Sequence, residues 1–335
     1  MLSKAAAVVP FLALALVLGG CSAPTTVHQS AARPRKTSHS AGHPVPATAK
    51  AKSPHVAASA APPAHVYYKH QVMILMYHGL GPQAHGDIIT PAAFAGEMMS
   101  LQSAGFQFVS LAQVQSFLGG GTIPPNAVAL TFDDGLESVY TYAYPILLQR
   151  KIPFATFLIV GRINTVVGNL SWAQIHAMLH SGLLTVGSHT FASHGSVPSG
   201  PHSTGAALTT HIYNFRTGQT ETNAQYTARV EGDLVRARKI LRLETSQPVT
   251  WFAYPFGAYD TAVEQMLLQA GYSDAVTTWG WGTTGYARPL ALPRENAGTP
   301  KLSPATIVNM VLYVAHLTAK DQTYQTPQQV VPIWP

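Results

Sequence analysis

The sequence predicts an α/β protein: a parallel sheet with helical crossovers, in about seven strand–helix units that favour a barrel over an open sheet. Three observations lead there. From residue 70 onward, short apolar runs alternate with longer amphipathic ones. Hydrophobic residues make up 47% of the 335, enough for a sizeable core. The net charge is confined to one end, since residues 1–66 hold six basic side chains and no acid, while 67–335 hold fourteen of each sign. The folded body is therefore electrically neutral, and a nucleic-acid-binding face, which needs a basic patch on folded structure, is excluded. A single cysteine excludes a disulfide framework and any multi-thiolate metal site.

Taken in order, the chain opens with Lys4, an apolar run from Ala5 to Leu18, and the string Leu18-Gly19-Gly20-Cys21. A positive start, a short apolar core and small residues before a cut describe a secretory signal. The small residues directly before the cysteine resemble a bacterial lipoprotein signal, which implies a signal peptide over 1–20 and lipidation of Cys21. Residues 21–66 are mostly Ala, Pro, Ser, Thr, His and Lys, too polar to offset the entropy of ordering, and are expected to be a disordered linker.

The body is expected over 67–318 and an irregular tail over 319–335. Val72–Tyr77 reads as a strand, and Pro91–Ala104 as a helix with Thr90 as N-cap and proline at its first position. Phe106–Val109 reads as a strand followed by a short helix to Leu118. Ala127–Phe132 is a strand leading to a helix through Gln149, and Ala155–Val160 is another strand. Ser171-Trp172-Ala173-Gln174 is a capping box opening a helix to His180. Strands at Leu184–Gly187, Trp251–Tyr254 and Asp274–Thr277 alternate with helices at Asn223–Leu241 and Thr261–Ala270. Ser303-Pro304 opens a last helix to Thr318. The Gly/Ser/Thr-rich stretch 195–222 reads as a loop, either shaping a groove or simply tolerated.

Two strings could carry chemistry. Thr131-Phe132-Asp133-Asp134-Gly135 follows an apolar strand, where α/β folds place reacting groups. Adjacent carboxylates there repel and lose hydration unless a cation compensates; one binds the ion and the other stays free as a base. The second string, Ser188-His189-Thr190-Phe191-Ala192-Ser193-His194, also ends a strand. On a helix, positions five apart point about 140° apart, so the two imidazoles can share an ion only from a loop that wraps back. Two histidines and an aspartate suit a borderline ion such as zinc, with positions left for water and substrate.

These strings resemble the NodB-homology polysaccharide deacetylases, carbohydrate esterase family 4. Thr131–Gly135 is similar to the family's first motif and His189…His194 to its second. Phe252-Ala253-Tyr254-Pro255-Phe256-Gly257-Ala258-Tyr259 is similar to the third. Leu75-Met76-Tyr77-His78, with the five-residue histidine spacing, resembles the biofilm poly-N-acetylglucosamine deacetylase branch. The resemblance covers roughly residues 70–300. It implies a deformed (β/α) barrel that removes acetyl from N-acetylglucosamine units of an extracellular or cell-wall polysaccharide.

It further implies that Asp134, His189 and His194 hold one divalent ion, zinc first, with cobalt or nickel as alternatives, while Asp133 takes the proton from water. A backbone N–H near Phe256 would hold the oxyanion, with Tyr254 on the substrate side, and His78 would protonate the leaving amine. The family's arginine before the third motif is replaced by Ala253, and Arg294 could supply that guanidinium from another strand. The C-terminal Leu-x-His is also absent. Trp279 and Trp281 are read equally as sugar platforms or as core, and His316 as a packing residue. The expected protein is an exported monomer anchored to the outer face of the bacterial cell membrane. Its partner is an N-acetylglucosamine polysaccharide. The alternative is a catalytically inactive carbohydrate-binding lipoprotein on the same fold.

Overall fold

The computed structural model describes residues 65–320, Trp279 and Trp281 excepted. The signal segment, Cys21, the linker up to His65, the two tryptophans and the tail beyond Lys320 lie outside the described residues.

Seven parallel strands form the frame: β1 (Gln71–Tyr77), β2 (Ala127–Phe132), β3 (Phe154–Leu158), β4 (Leu184–Ser188), β5 (Trp251–Ala253), β6 (Asp274–Val276) and β7 (Glu295–Asn296). The sheet order runs β6-β5-β4-β3-β2-β1, with β7 beside β1. Pairing is deepest between β1 and β2, from Val72↔Ala127 to Tyr77↔Phe132, and shallowest between β4 and β5, which share only Ser188↔Phe252. The seam is closed by residues 292–296. Leu292 bridges Val276 of β6, donating to Ala275 O (2.9 Å) and accepting from Thr277 N (2.8 Å), and β7 then pairs with Leu75 and Met76 of β1. One short segment thus joins both edges of the curled sheet.

Alternation along the strands sorts side chains into two layers. Val72, Ile74, Ala127, Ala129, Ala155, Phe157, Trp251, Ala253, Val276 and Leu292 cluster inside the barrel. Met73, Leu75, Tyr77, Val128, Leu130, Phe132, Phe252 and Tyr254 pack outward against the helices. Being buried on both faces, the strands read as near-continuous apolar runs. The interior is narrow: a Cβ on Gly187 would lie 2.5 Å from the Phe157 ring, so this inward position of β4 accepts only glycine. The interior parity, carried past the strand ends, also contains His78, Asp133, His189 and Arg294.

The helices expected after Thr90 and Ser171 begin where those caps predict. α1 (Pro91–Ser103) is capped by Thr90, and capping boxes open α2 (Leu111–Leu118, Ser110/Gln113), α4 (Trp172–His180, Ser171/Gln174) and α5 (Asn223–Thr245, Thr222/Gln225). α6 (Thr261–Ala270) starts at Asp260 and ends on left-handed Gly271. The helix expected through Gln149 divides into a widened turn, Val139–Ala143, and α3 (Tyr144–Arg150). Pro145 has no N–H for an i−4 bond and its ring crowds that carbonyl, which the wider turn relieves. α7 (Ile307–Lys320) begins later than Ser303 suggests, because residues 304–306 form a turn. Residues 195–222 carry two hairpins, Ser196–Gly200 with Ser203–Ala206 and Tyr213–Asn214 with Gln219–Thr220.

Candidate active site

The site lies at the C-terminal ends of the strands. Asp133 extends β2 by one step, its N–H donating to Tyr77 O (2.9 Å). Asp134 and Gly135 then both turn into the left-handed region (φ +70° and +69°). A Cβ on Gly135 would sit 2.8 Å from Leu158 Cδ2, so glycine is needed for space as well as for φ. The turn is held by Leu170 N–H to Gly135 O (2.8 Å) and Asn169 Nδ2 to Asp134 O (3.1 Å). This reversal gives two adjacent carboxylates different surroundings.

Asp133 faces Arg294. The guanidinium donates from Nη1 to Asp133 Oδ1 (2.7 Å) and from Nη2 to Oδ2 (2.6 Å), a two-pronged pair in which Arg294 is 0% and Asp133 2% exposed. Arg294 is fixed in turn by Nε to Thr277 O (2.7 Å) and Nη1 to Thr131 Oγ1 (3.1 Å), and it lies 5.6 Å from the Phe157 ring centroid. Burial pushes the Asp133 carboxyl up, but the charge and hydrogen bonds of Arg294, with smaller help from His189 and His78, pull it down to about 2. Asp133 is therefore an oriented, ionised carboxylate.

Asp134 faces the histidines. Its Oδ1 lies 3.1 Å from His194 Nε2 and 3.7 Å from His189 Nε2, and the three ligand atoms lie within 4.8 Å of one another. His189 is fixed by its ring: Nδ1 is 2.8 Å from Ala253 O, and a carbonyl only accepts, so Nδ1 carries the proton and Nε2 keeps its lone pair. Burial pushes His189 down to about 4, keeping the ring neutral at physiological pH. His194 arrives from a loop that folds back at left-handed Thr190 (φ +72°), and its ring centroid lies 4.7 Å from that of His189. Asp134 Oδ1 is buried without a hydrogen bond of proper geometry. A buried carboxylate oxygen facing two imidazole nitrogens is a donor set that suits a divalent ion of borderline softness.

The remaining expected residues divide. His78 follows β1 at the mouth, its charge acts on Asp133, and its buried Nδ1 has no hydrogen bond among the described residues. Phe256 sits in the turn Pro255–Gly257 after β5 with φ +59°, an uncommon conformation for a bulky residue, and its ring lies 4.9 Å from that of His194. Tyr254 corrects the expectation of a substrate contact. It is 0% exposed, faces outward by strand parity, stacks on Tyr259 (4.9 Å) and donates its hydroxyl to Leu290 O (2.9 Å). It is a core residue. Trp279 and Trp281 are outside the described residues.

Sequence reading passed over three contributors: Thr131 and Thr277, which hold Arg294, and Asp233 on α5, which binds the backbone of the His194 loop. Thr131 stood inside the quoted string but carries no chemistry of its own. The other two contribute only once distant segments meet.

Residues 120–275 match the family model for polysaccharide deacetylase. The chain is 27% identical over 224 residues to the poly-beta-1,6-N-acetyl-D-glucosamine N-deacetylase of Escherichia coli K12, covering 62% of this chain and 33% of that protein. It is 28% identical over 110 residues to the protein of the same name from Staphylococcus aureus MRSA252, covering 32% of this chain and 38% of that one. The chain thus spans about a third of the length of the curated relatives it matches. Among solved structures it is similar to a de-N-acetylase from Aggregatibacter actinomycetemcomitans, with TM-score 0.66 and 22% identity over 72% of this chain and 99% of that one. It is also similar to IcaB from Ammonifex degensii, with TM-score 0.57 and 25% identity over 73% and 97%.

Proposed function

We propose that the protein, whose residues 120–275 match the family model for polysaccharide deacetylase, hydrolyses the N-acetyl groups of N-acetylglucosamine units in an extracellular or cell-wall polysaccharide, releasing acetate. The likeness to proteins named for poly-beta-1,6-N-acetyl-D-glucosamine makes the β-1,6-linked polymer the first substrate to test. The observation that carries the reading is the division between neighbours: Asp134 looks to two histidines, while Asp133 looks to a buried arginine.

Asp134, His189 and His194 would hold one divalent ion, zinc before cobalt or nickel. When bound, the ion supplies Lewis-acid activation of water and of the acetamide carbonyl near neutral pH. Asp133, kept ionised and aimed by Arg294, accepts the proton of the attacking water. The backbone N–H of Phe256 donates to the developing oxyanion, and one such donor is typically worth about 3 kcal/mol. As the C–N bond breaks, His78 gives a proton to the leaving amine, so the products are acetate and a free amine on the sugar. A purely carbohydrate-binding protein would have no use for the buried Asp133–Arg294 pair. We place the chain outside the cell, held to the membrane by a lipid on Cys21 and reaching the polymer through the linker.

The test is acetate release by the zinc-loaded full chain from β-1,6-linked N-acetylglucosamine oligomers and, in parallel, from peptidoglycan. Release from the oligomers, lost on chelation and restored by zinc, is expected. No acetate from any N-acetylhexosamine polymer or oligomer would overturn the reading.

A further inference from the structure

We propose that Asp233 is the positioning residue that sets the pose of His194 and thereby the affinity of the Asp134–His189–His194 cluster for its ion. The inference rests on the metal-binding reading above.

His189 is oriented by its own ring, through Nδ1 and Ala253 O. The pose of His194 is delivered instead through the backbone that precedes it, and that backbone is wrapped around one carboxylate. Asp233 Oδ1 accepts from Phe191 N–H (2.8 Å), and Oδ2 accepts from Ala192 N–H (2.7 Å) and Ser193 N–H (3.0 Å). Three consecutive amides converge on both oxygens of one half-buried side chain, and the next residue is His194.

The same loop is held from its other side. Thr190 O and Phe191 O accept from Val160 N–H (3.0 Å) and Gly161 N–H (2.9 Å), and Arg236, one turn along α5 from Asp233, lies 3.7 Å from the Phe191 ring centroid. A Cβ on Gly161 would fall 2.7 Å from Phe191 O, so this approach depends on glycine. The five-residue histidine spacing reaches one ion only if the loop reverses, and Asp233 is the group that satisfies the amides which the reversal leaves inside the bend. An asparagine there keeps one carbonyl oxygen but turns an NH2 group toward an amide donor, so at least one of the three anchors of the bend is lost.

α5 also supplies an internal control. Arg229, one turn before Asp233, donates to Ala207 O (2.9 Å) and Thr210 O (2.8 Å) and pairs with Glu221 (2.9 Å), fastening the hairpin segment rather than residues 191–193. Losing either anchor costs stability, but Asp233 binds three amides directly before His194, whereas Arg229 reaches that loop only indirectly, through Ala207, whose N–H donates to Gly195 O (2.9 Å).

The test measures the zinc dissociation constant of the full chain by competition with a chromophoric chelator, and the visible spectrum of the cobalt-loaded protein. Wild type is compared with Asp233→Asn, Asp233→Ser, Arg229→Met and His194→Ala. Loss of a group that orients a ligand typically weakens metal binding about ten- to hundredfold. That weakening is expected for both Asp233 variants, with a changed cobalt spectrum. Arg229→Met is expected to keep wild-type affinity at a lower Tm.

Affinity unchanged in both Asp233 variants while His194→Ala abolishes binding would overturn this proposal alone. Equal weakening in Arg229→Met would also overturn it, by showing a general loosening of α5. A wild type that takes up no ion would overturn the metal reading and this proposal together. Should the Asp233 variants fail to fold, amide exchange in metal-free wild type decides the matter. Protection at residues 191–193 supports a loop preformed on Asp233, and exchange at the unprotected rate overturns it.

Discussion

Among the buried carboxylates, Asp133 and Glu97 are held under opposite terms. Asp133, inside the barrel mouth, faces the fully buried guanidinium of Arg294 and is drawn down to about 2. Glu97, on α1 in the layer between barrel and helices, meets only the Tyr77 hydroxyl at Oε2 (2.9 Å), and its Oε1 has no hydrogen bond among the described residues. Burial pushes Glu97 up to about 7, against a smaller downward pull from Tyr77. Depth is the same in both places; the difference is a buried cation. The mouth keeps a charge by pairing it with a guanidinium, and the helical layer retains its acid largely by leaving the proton on.

The largest expected effect is on the mouth. Arg294→Met strands a buried negative charge, and removing one partner of such a pair typically costs about 3–5 kcal/mol. We expect a loss of that size in denaturant unfolding, with acetate release down about 10³-fold from loss of an oriented base. Arg294→Lys, which keeps charge but not the fork, should fall between. Wild-type stability in Arg294→Met would break the contrast.

Glu97 gives the next effect, with a defined sign. Its folded-state value lies above the ordinary one, so the folded protein holds a proton that the unfolded chain has released between about pH 4.5 and 7. Stability should therefore fall as pH rises through that window, by about 3 kcal/mol in all, and level off above it. Glu97→Gln should flatten the profile of Tm against pH from 4.5 to 7.5. An unchanged slope would show that Glu97 is not the group responsible.

The smallest effect sharpens the second case. Tyr77→Phe removes the one hydrogen bond that favours ionised Glu97, so the levelling-off point should move to higher pH. The lost bond should also cost about 1 kcal/mol at neutral pH. Both can be read from the same series of melts.

Where the sequence was sufficient, the cause is local. Strands buried on both faces announce themselves as apolar runs, and the capping box at Ser171 marks a helix start within four residues of chain. Asp134, His189 and His194 stand in two short strings, each just past a strand end, so topology alone brings them together. Arg294 could be nominated from its string, but its pairing with Asp133 depends on residues 292–296 closing the seam, a contact spanning 161 positions. Asp233 was not legible at all, because its role exists only once α5 lies against the 191–193 loop. Tyr254 was misjudged because the motif says where it lies but not which way it points. It shares Phe252's outward parity, away from the barrel interior.

The central claim is that neighbouring aspartates divide the work, one holding the ion and one moving the proton. Its most direct test is Asp133→Asn, with bound metal and acetate release measured on the same preparation. The account predicts one divalent ion per chain at near wild-type affinity, with turnover reduced about 10³-fold. Loss of the metal along with the activity, or turnover that survives the substitution, would contradict it.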